Sequence, residues 1–330
     1  MIAFFDIFDY PLTLNEIRLS LSVKGELPEL MEALEELIKS PLPPFVKRGD
    51  GFYFLSGRSA IAAERRRRYN FTDRKFKRAL LIAGIFKFIP WIKMIAVSNL
   101  IGAHNLKDSS DIDFFIVTED KKIWLTRFFC AGLAKFLGLR PQADNSRDKI
   151  CLSFYASEKA MELNGLRLKN PPTPLLEGGQ IQSPSPPLSE GRADIYFIHW
   201  LAGLTPLYDV DNTYQKLIKA NQWLYDSLPN WSANAFTAAG KQPKFWPRRR
   251  DAGGPLPRFY RDVVDLFFGG LEPQFKKLQL KLLPPQLKNL MNQDSRVVIN
   301  DQIIKLHAND RRSEYREKYL EKIKKLSLRA

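Results

Sequence analysis

The sequence predicts an α+β protein, and three observations carry that prediction. Three short apolar segments, Met94-Ile95-Ala96-Val97, Asp113-Phe114-Phe115-Ile116-Val117 and Ile150-Cys151-Leu152-Ser153-Phe154-Tyr155, have strand length and strand composition. Between the second and third lies Trp124–Leu137, an apolar run of helical length with Arg127 and Lys135 on its margin. Helical patterns dominate the remainder, notably at 194–204, 214–228 and 271–282. Strands that are apolar throughout imply a sheet covered on at least one face.

In chain order, residues 1–57 read as a small helical unit ending in a hairpin. Tyr10-Pro11 marks a turn, and Thr13 caps a helix with Glu16 at capping-box spacing. A second helix runs from about Glu29 to Ser40, with Leu30, Ala33, Leu34 and Leu37 on one face. Two strands then flank the turn dipeptide Asp50-Gly51. Helix, helix, hairpin is the order of a winged helix-turn-helix, whose second helix enters a nucleic-acid groove. Here that helix carries Glu29, Glu35 and Glu36, which favours a protein contact or a structural role over DNA reading. Residues 58–93 form a basic helical connector, closed by Ile89-Pro90-Trp91, and 94–169 hold the α/β block. Residues 170–192 contain six prolines and form a loop; 193–330 are mainly helical, with a hairpin-like pair around Asn300-Asp301 and a charged terminal helix.

Length and composition suit two or three globular domains: 330 residues, 45% hydrophobic and 26% charged. Cys130 and Cys151 sit in apolar runs, as buried thiols of a reducing compartment do. Three histidines and two cysteines, widely scattered, do not make a zinc site. No export signal or uncharged run of membrane-spanning length is visible, since Lys87, Pro90 and Lys93 interrupt the most apolar stretch. These features predict a cytoplasmic protein with no membrane partner.

The formal net charge is +15. From Arg58 to Lys93 there are eleven Lys/Arg against two Asp/Glu, and from Arg311 to Ala330 eight against three, so nine and five of the fifteen excess charges fall in two segments. Such concentration predicts either a polyanion-facing surface, with Arg65, Arg66, Arg67 and Arg68 as contacts, or a solvated face of two basic helices.

The segment richest in chemistry is Ser98-Asn99-Leu100 through Ser110-Asp111-Ile112-Asp113. Asp111 and Asp113 are two apart at the start of an apolar strand, so both carboxylates share one face. Two carboxylates on one face repel unless a cation lies between them, and Mg2+ takes one or two protein carboxylates together with phosphate oxygens. Here the sequence resembles the nucleotidyltransferase superfamily, the polymerase-beta-like group, whose pattern is Gly-Ser, about a dozen residues, then Asp-x-Asp entering a strand. The match lies in Ser110-Asp111-Ile112-Asp113-Phe114. More narrowly, the chain looks like a bacterial group in which a winged-helix unit precedes that domain. Phe5-Asp6-Ile7-Phe8-Asp9-Tyr10-Pro11, Trp124-Leu125-Thr126-Arg127, Lys149-Ile150-Cys151-Leu152-Ser153-Phe154 and His307-Ala308-Asn309-Asp310-Arg311-Arg312 carry that likeness.

The resemblance implies a small mixed-sheet catalytic domain that transfers a nucleoside monophosphate from an NTP to a hydroxyl acceptor, with Mg2+ as cofactor. Asp111 and Asp113 would be the catalytic metal ligands; Ser98, Asn99 and Ser110 would contact the nucleotide, Ser110 by shaping the turn. Two departures stand against it. Asn99-Leu100 occupies the place of Gly-Ser, and the later strand Ile150–Tyr155 contains no third carboxylate, Asp148 and Glu158 only flanking it. The alternative is therefore a catalytically inactive protein of that fold, which uses its basic surface for nucleic acid or an acidic partner. Of the remaining polar residues, His104 reads as an exposed loop residue, His199 as core, and His307, Asp310, Arg311 and Arg312 as a salt-bridged turn.

Overall fold

The computed structural model describes residues 1–39, 43–98, 105–142, 144–168, 194–233 and 257–327. Helices α1 (Ile2–Asp6), α2 (Leu14–Ser20) and α3 (Leu27–Ile38) pack with strands β1 (Leu12–Thr13), β2 (Phe45–Lys47) and β3 (Phe52–Leu55) in an antiparallel sheet of order β1-β3-β2. The Thr13–Glu16 capping box opens α2 as its spacing predicts. Helix α1 was not expected. Phe4 and Phe5 in it are buried against Tyr10, Leu12 and Tyr53, so tertiary packing stabilises a helix too short to persist alone.

A single long helix, α4 (Ala60–Phe86), leads into a six-stranded mixed sheet. Its strands are β4 (Ile92–Val97), β5 (Ile112–Thr118), β6 (Ile150–Ser157), β7 (Thr205–Asp209), β8 (Val297–Ile299) and β9 (Ile303–Leu306), in the order β7-β4-β5-β6-β9-β8. Among the described strands only β5 and β6 pair in parallel. That pairing requires a crossover, which α5 (Ile123–Phe136) supplies. The sheet is not confined to the 94–169 block. Strands β7, β8 and β9 come from the region expected to be mainly helical and extend both of its edges.

Both faces are covered. Side chains of α4 and α5 fill one face, on Ile112, Phe114 and Ile116 of β5. The helices α9 (Arg258–Phe268), α10 (Glu272–Lys281) and α11 (Pro285–Leu290) pack on that side too. The other face takes Phe115 and Val117, under α6 (Ile195–Ala202), α7 (Thr213–Ala220) and α8 (Trp223–Ser227). Each fully buried large apolar side chain contributes roughly 1.5–3 kcal/mol. The terminal helix, α12 (Arg312–Ser327), contacts α6 and α1 and so ties the N-terminal unit to the sheet domain. Among the described residues no helix is long and apolar enough to cross a membrane.

Candidate functional site

Asp111 immediately precedes β5 and Asp113 is its second residue. Strand periodicity puts Asp113 on the same face as Phe115 and Val117, toward α6. Carboxylate oxygens of Asp111 and Asp113 and the Cys151 Sγ all lie within 4.8 Å of one another. Cys151 is there because β6 runs parallel to β5 with Asp113 and Cys151 as register partners. It is not the fully buried core thiol that its apolar flanks predict; Cys130 is.

Between Asp113 and Phe115 the register shifts, so one residue of β5, Phe114, stands opposite two of β6, Leu152 and Ser153: Asp113 pairs with Cys151 and Phe115 with Phe154. Such a bulge re-aims side chains. Cys151, Ser153 and Phe154 consequently all line one cavity of about 450 Å3. Asp113 and Ser98 stand at the same cavity, with Tyr196, Phe197 and Trp200 from α6 and Tyr315 from α12 on its walls. The β9 end and the turn after it, Lys305 to Arg312, complete it.

The floor of the cavity is a hydrogen-bonded chain. Cys151 Sγ lies 3.3 Å from Ser153 Oγ, which lies 2.6 Å from His307 Nε2. Burial, and next the Asp113 carboxylate, push the Cys151 thiol well up, so it is protonated and donates. Burial, and next the Lys305 charge, bring His307 down to about 4, so its ring is neutral near pH 7. The direction that satisfies all three groups therefore runs from thiol to hydroxyl to imidazole, with the ring proton on Nδ1.

Asp111 is raised from the ordinary carboxylate value because burial strips its water; its own backbone N–H and the Lys75 charge act the other way. Lys75, fully buried on α4, donates to the carbonyls of Asp108 (3.1 Å) and Ser110 (2.5 Å) and to Asp148 Oδ1 (2.8 Å). Arg74 pairs with Asp108 and Asp148. The turn that presents Asp111 is thus clamped from α4, and Asp148 is committed to that clamp. Ser110 takes part as expected of a turn residue, its hydroxyl donating to the Lys107 carbonyl at 2.9 Å. Ser98 is buried at the end of β4, and its N–H and hydroxyl both meet the Asp113 carbonyl, at 3.0 and 3.3 Å. Asn99, Leu100 and His104 lie outside the described residues.

The four-arginine run does not form one exposed surface. Arg65 is 2% exposed and Arg68 3%. Arg65 makes a bidentate pair with Glu16 at 2.7 and 2.8 Å, donates to the Pro11 carbonyl and lies over the Tyr10 and Phe52 rings. Arg68 holds Glu64, the Phe8 carbonyl and Asn105. Their expected role as polyanion contacts is corrected: the helical period turns two of four consecutive positions inward, onto the N-terminal unit. Arg66 and Arg67 remain exposed and pair with Asp50 and Glu64.

The cluster after β9 is a salt-bridged turn. Arg312 is buried and bridges Asp310 and Asp194, each at 2.8 Å; Lys305 reaches Asp310 at 3.2 Å. Burial alone would raise Asp310, but Arg312 and Lys305 bring it down to about 2. His199 is core: fully desolvated, stacked on Phe4 at 5.4 Å and edge-on to Phe5 at 5.0 Å.

Sequence reasoning passed over Ser153, and set His307 aside as part of a turn. Their proximity depends on the β6 bulge and on β9 pairing beside β6, with Phe154 opposite Lys305. No family model, no curated protein and no solved structure matches the chain.

Proposed function

We propose that the chain is a divalent-metal-dependent nucleotidyltransferase, moving a nucleoside monophosphate from an NTP to a hydroxyl acceptor. The observation that carries this reading is the convergence of the Asp111 and Asp113 carboxylates beside the 450 Å3 cavity, at the start of a strand in a mixed sheet. Two half-buried carboxylates this close suit a hard cation such as Mg2+, and the protonated Cys151 thiol leaves the ligand set to oxygen. Bound there, Mg2+ supplies charge neutralisation for a triphosphate. Asp111 and Asp113 hold the ion; Lys75 and Arg74 hold the turn that positions Asp111; Ser98 secures the backbone of Asp113. The winged-helix reading of residues 1–57 belongs to the same proposal, supported by the order of its later elements, two helices and then a hairpin. Free cysteines support placement in the cytoplasm.

The second reading, an inactive protein of that fold, draws on one observation. Cys151 stands across from Asp113 on the strand that would supply a third carboxylate, and a thiol is a poor base for a hydroxyl there. Internal pairing of Arg65 and Arg68 weakens the nucleic-acid version of this reading.

Calorimetric titration of ATP, GTP, CTP and UTP with Mg2+ tests the first reading, on wild type and on Asp111→Ala/Asp113→Ala. Binding of at least one nucleotide, lost in the double variant, is the expected result. Absence of heat with all four rejects it, and binding that survives the double substitution rejects the metal ligands. Pyrophosphate release then separates an active enzyme from an inactive one.

A further inference from the structure

The cavity beside Asp113 has a composition of its own. Its volume, about 450 Å3, lies in the range of small-molecule sites, roughly 300–1,000 Å3. Flat rings form its walls. Trp200 stacks between Phe154 and Phe197, at 5.3 and 5.2 Å with interplanar angles of 15° and 10°, and Tyr196 stacks on Tyr315 at 5.2 Å and 19°. Its floor is the hydrogen-bonded chain from Cys151 through Ser153 to His307.

Among the described residues, the three Lys and Arg side chains that line the cavity are all engaged. Lys305 is held by Asp310, Arg312 by Asp310 and Asp194, and Arg311 by Glu314 at 2.7 Å. Drawing any of them onto a phosphate means breaking a charge pair, and for the buried Lys305 and Arg312 that leaves a carboxylate desolvated. Asp113 at one end adds repulsion toward an anion. Flat apolar walls, a hydrogen-bonding floor and compensated charge select a planar, uncharged, polar-edged ligand.

We infer that this cavity binds an uncharged heteroaromatic ring carrying a hydroxyl group, of which a nucleoside is the simplest example, and that it forms the acceptor half of the site. Only the word acceptor rests on the nucleotidyltransferase reading; the ring site stands on the cavity alone. The ring lies against the aromatic walls and its polar edge meets Ser153 and His307. Its hydroxyl points toward the end of the cavity where Asp113 stands.

The experiment is titration of the full chain with adenosine, guanosine, cytidine and uridine, without metal, by calorimetry and tryptophan fluorescence. Trp200 is the reporter and Trp200→Phe the control for its signal. Saturable binding of at least one nucleoside is expected, weakened about tenfold or more by Ser153→Ala and by Asn309→Trp. Asn309 is an exposed residue at the cavity, so a bulky replacement fills the space without entering the core. Absence of binding by all four nucleosides overturns the inference, as does binding untouched by both substitutions. Addition of Mg2+ and ATP separates the two halves: nucleoside affinity that is unchanged or improved supports the acceptor assignment, and simple competition overturns it. Nucleoside binding retained where no Mg2+–NTP complex binds keeps the ring site and rejects the nucleotidyltransferase reading.

Discussion

Two regions of this protein are rich in polar side chains and use them in opposite ways. On α4, Arg65 and Arg68 are closed into the molecule, their guanidinium groups held by Glu16, Glu64, Asn105 and the carbonyls of Pro11 and Phe8. At the cavity, Cys151, Ser153 and His307 are linked in a chain and, with Asp113, line open volume. The first arrangement fixes one part of the chain against another; the second leaves bonding capacity for something that enters. Density of charge in the sequence marked the first region, whereas incomplete closure in space marks the second.

The largest effect expected is at the closed end of this contrast. Arg65→Met leaves Glu16 buried without its cation, and breaking a buried pair from one side costs about 3–5 kcal/mol. Urea denaturation of Arg65→Met, Glu16→Gln and the double variant measures it. The double variant is expected to recover a large share of the loss, and equal losses in both arginine variants would show that ring packing, not pairing, is what Arg65 contributes.

His199 is closed by apolar walls instead of partners. Burial, and next the N-terminal amine, bring it down to about 3, against 6.5 in the unfolded chain. Between those values the unfolded state binds the proton and the folded state does not, so stability is lost as pH falls from about 6.5 toward 3. At pH 4.5 this amounts to on the order of 2–3 kcal/mol. His199→Phe keeps an aromatic ring against Phe4 and Phe5, and its acid limb is expected to be shallower by that amount in thermal melts recorded from pH 7 to 4.5.

Ser153→Ala should cost less, about 0.5–1.5 kcal/mol, because the partners it abandons border open volume that water can fill. A loss above 3 kcal/mol would place Ser153 with the closed residues and blur the contrast. The smallest effect is predicted for Arg66→Ala and Arg67→Ala, exposed pairs whose removal changes stability by less than about 0.5 kcal/mol.

Some of this was legible residue by residue. Thr13 and Glu16 announce a helix start because the capping box is a local motif spanning three residues. Asp111 and Asp113 share a face because strand periodicity is local as well. The apolar runs 94–97, 113–117 and 150–155 are strands because their composition suits burial on both sides. Other features were hidden for a common reason. Edge strand β7 is short, and its membership of the sheet, like the docking of the β8–β9 hairpin beside β6, is a matter of long-range pairing. The β6 bulge cannot be read from Ile150–Tyr155, since strict alternation would send Phe154 to the opposite face from Ser153. Arg65 looks like surface charge until Glu16, forty-nine positions earlier, is seen beside it.

The sequence by itself determined the central strands, the main helices, the shared face of the aspartates and the excess of positive charge, all consequences of periodicity and composition over a few turns of chain. Tertiary structure alone decided which of those charges are spent internally, that Cys151 stands opposite Asp113, and that Ser153, His307 and a wall of aromatic rings enclose one cavity. The physical reason is range. Backbone geometry acts between neighbours in sequence, whereas desolvation, pairing and cavity shape depend on groups that only folding brings together.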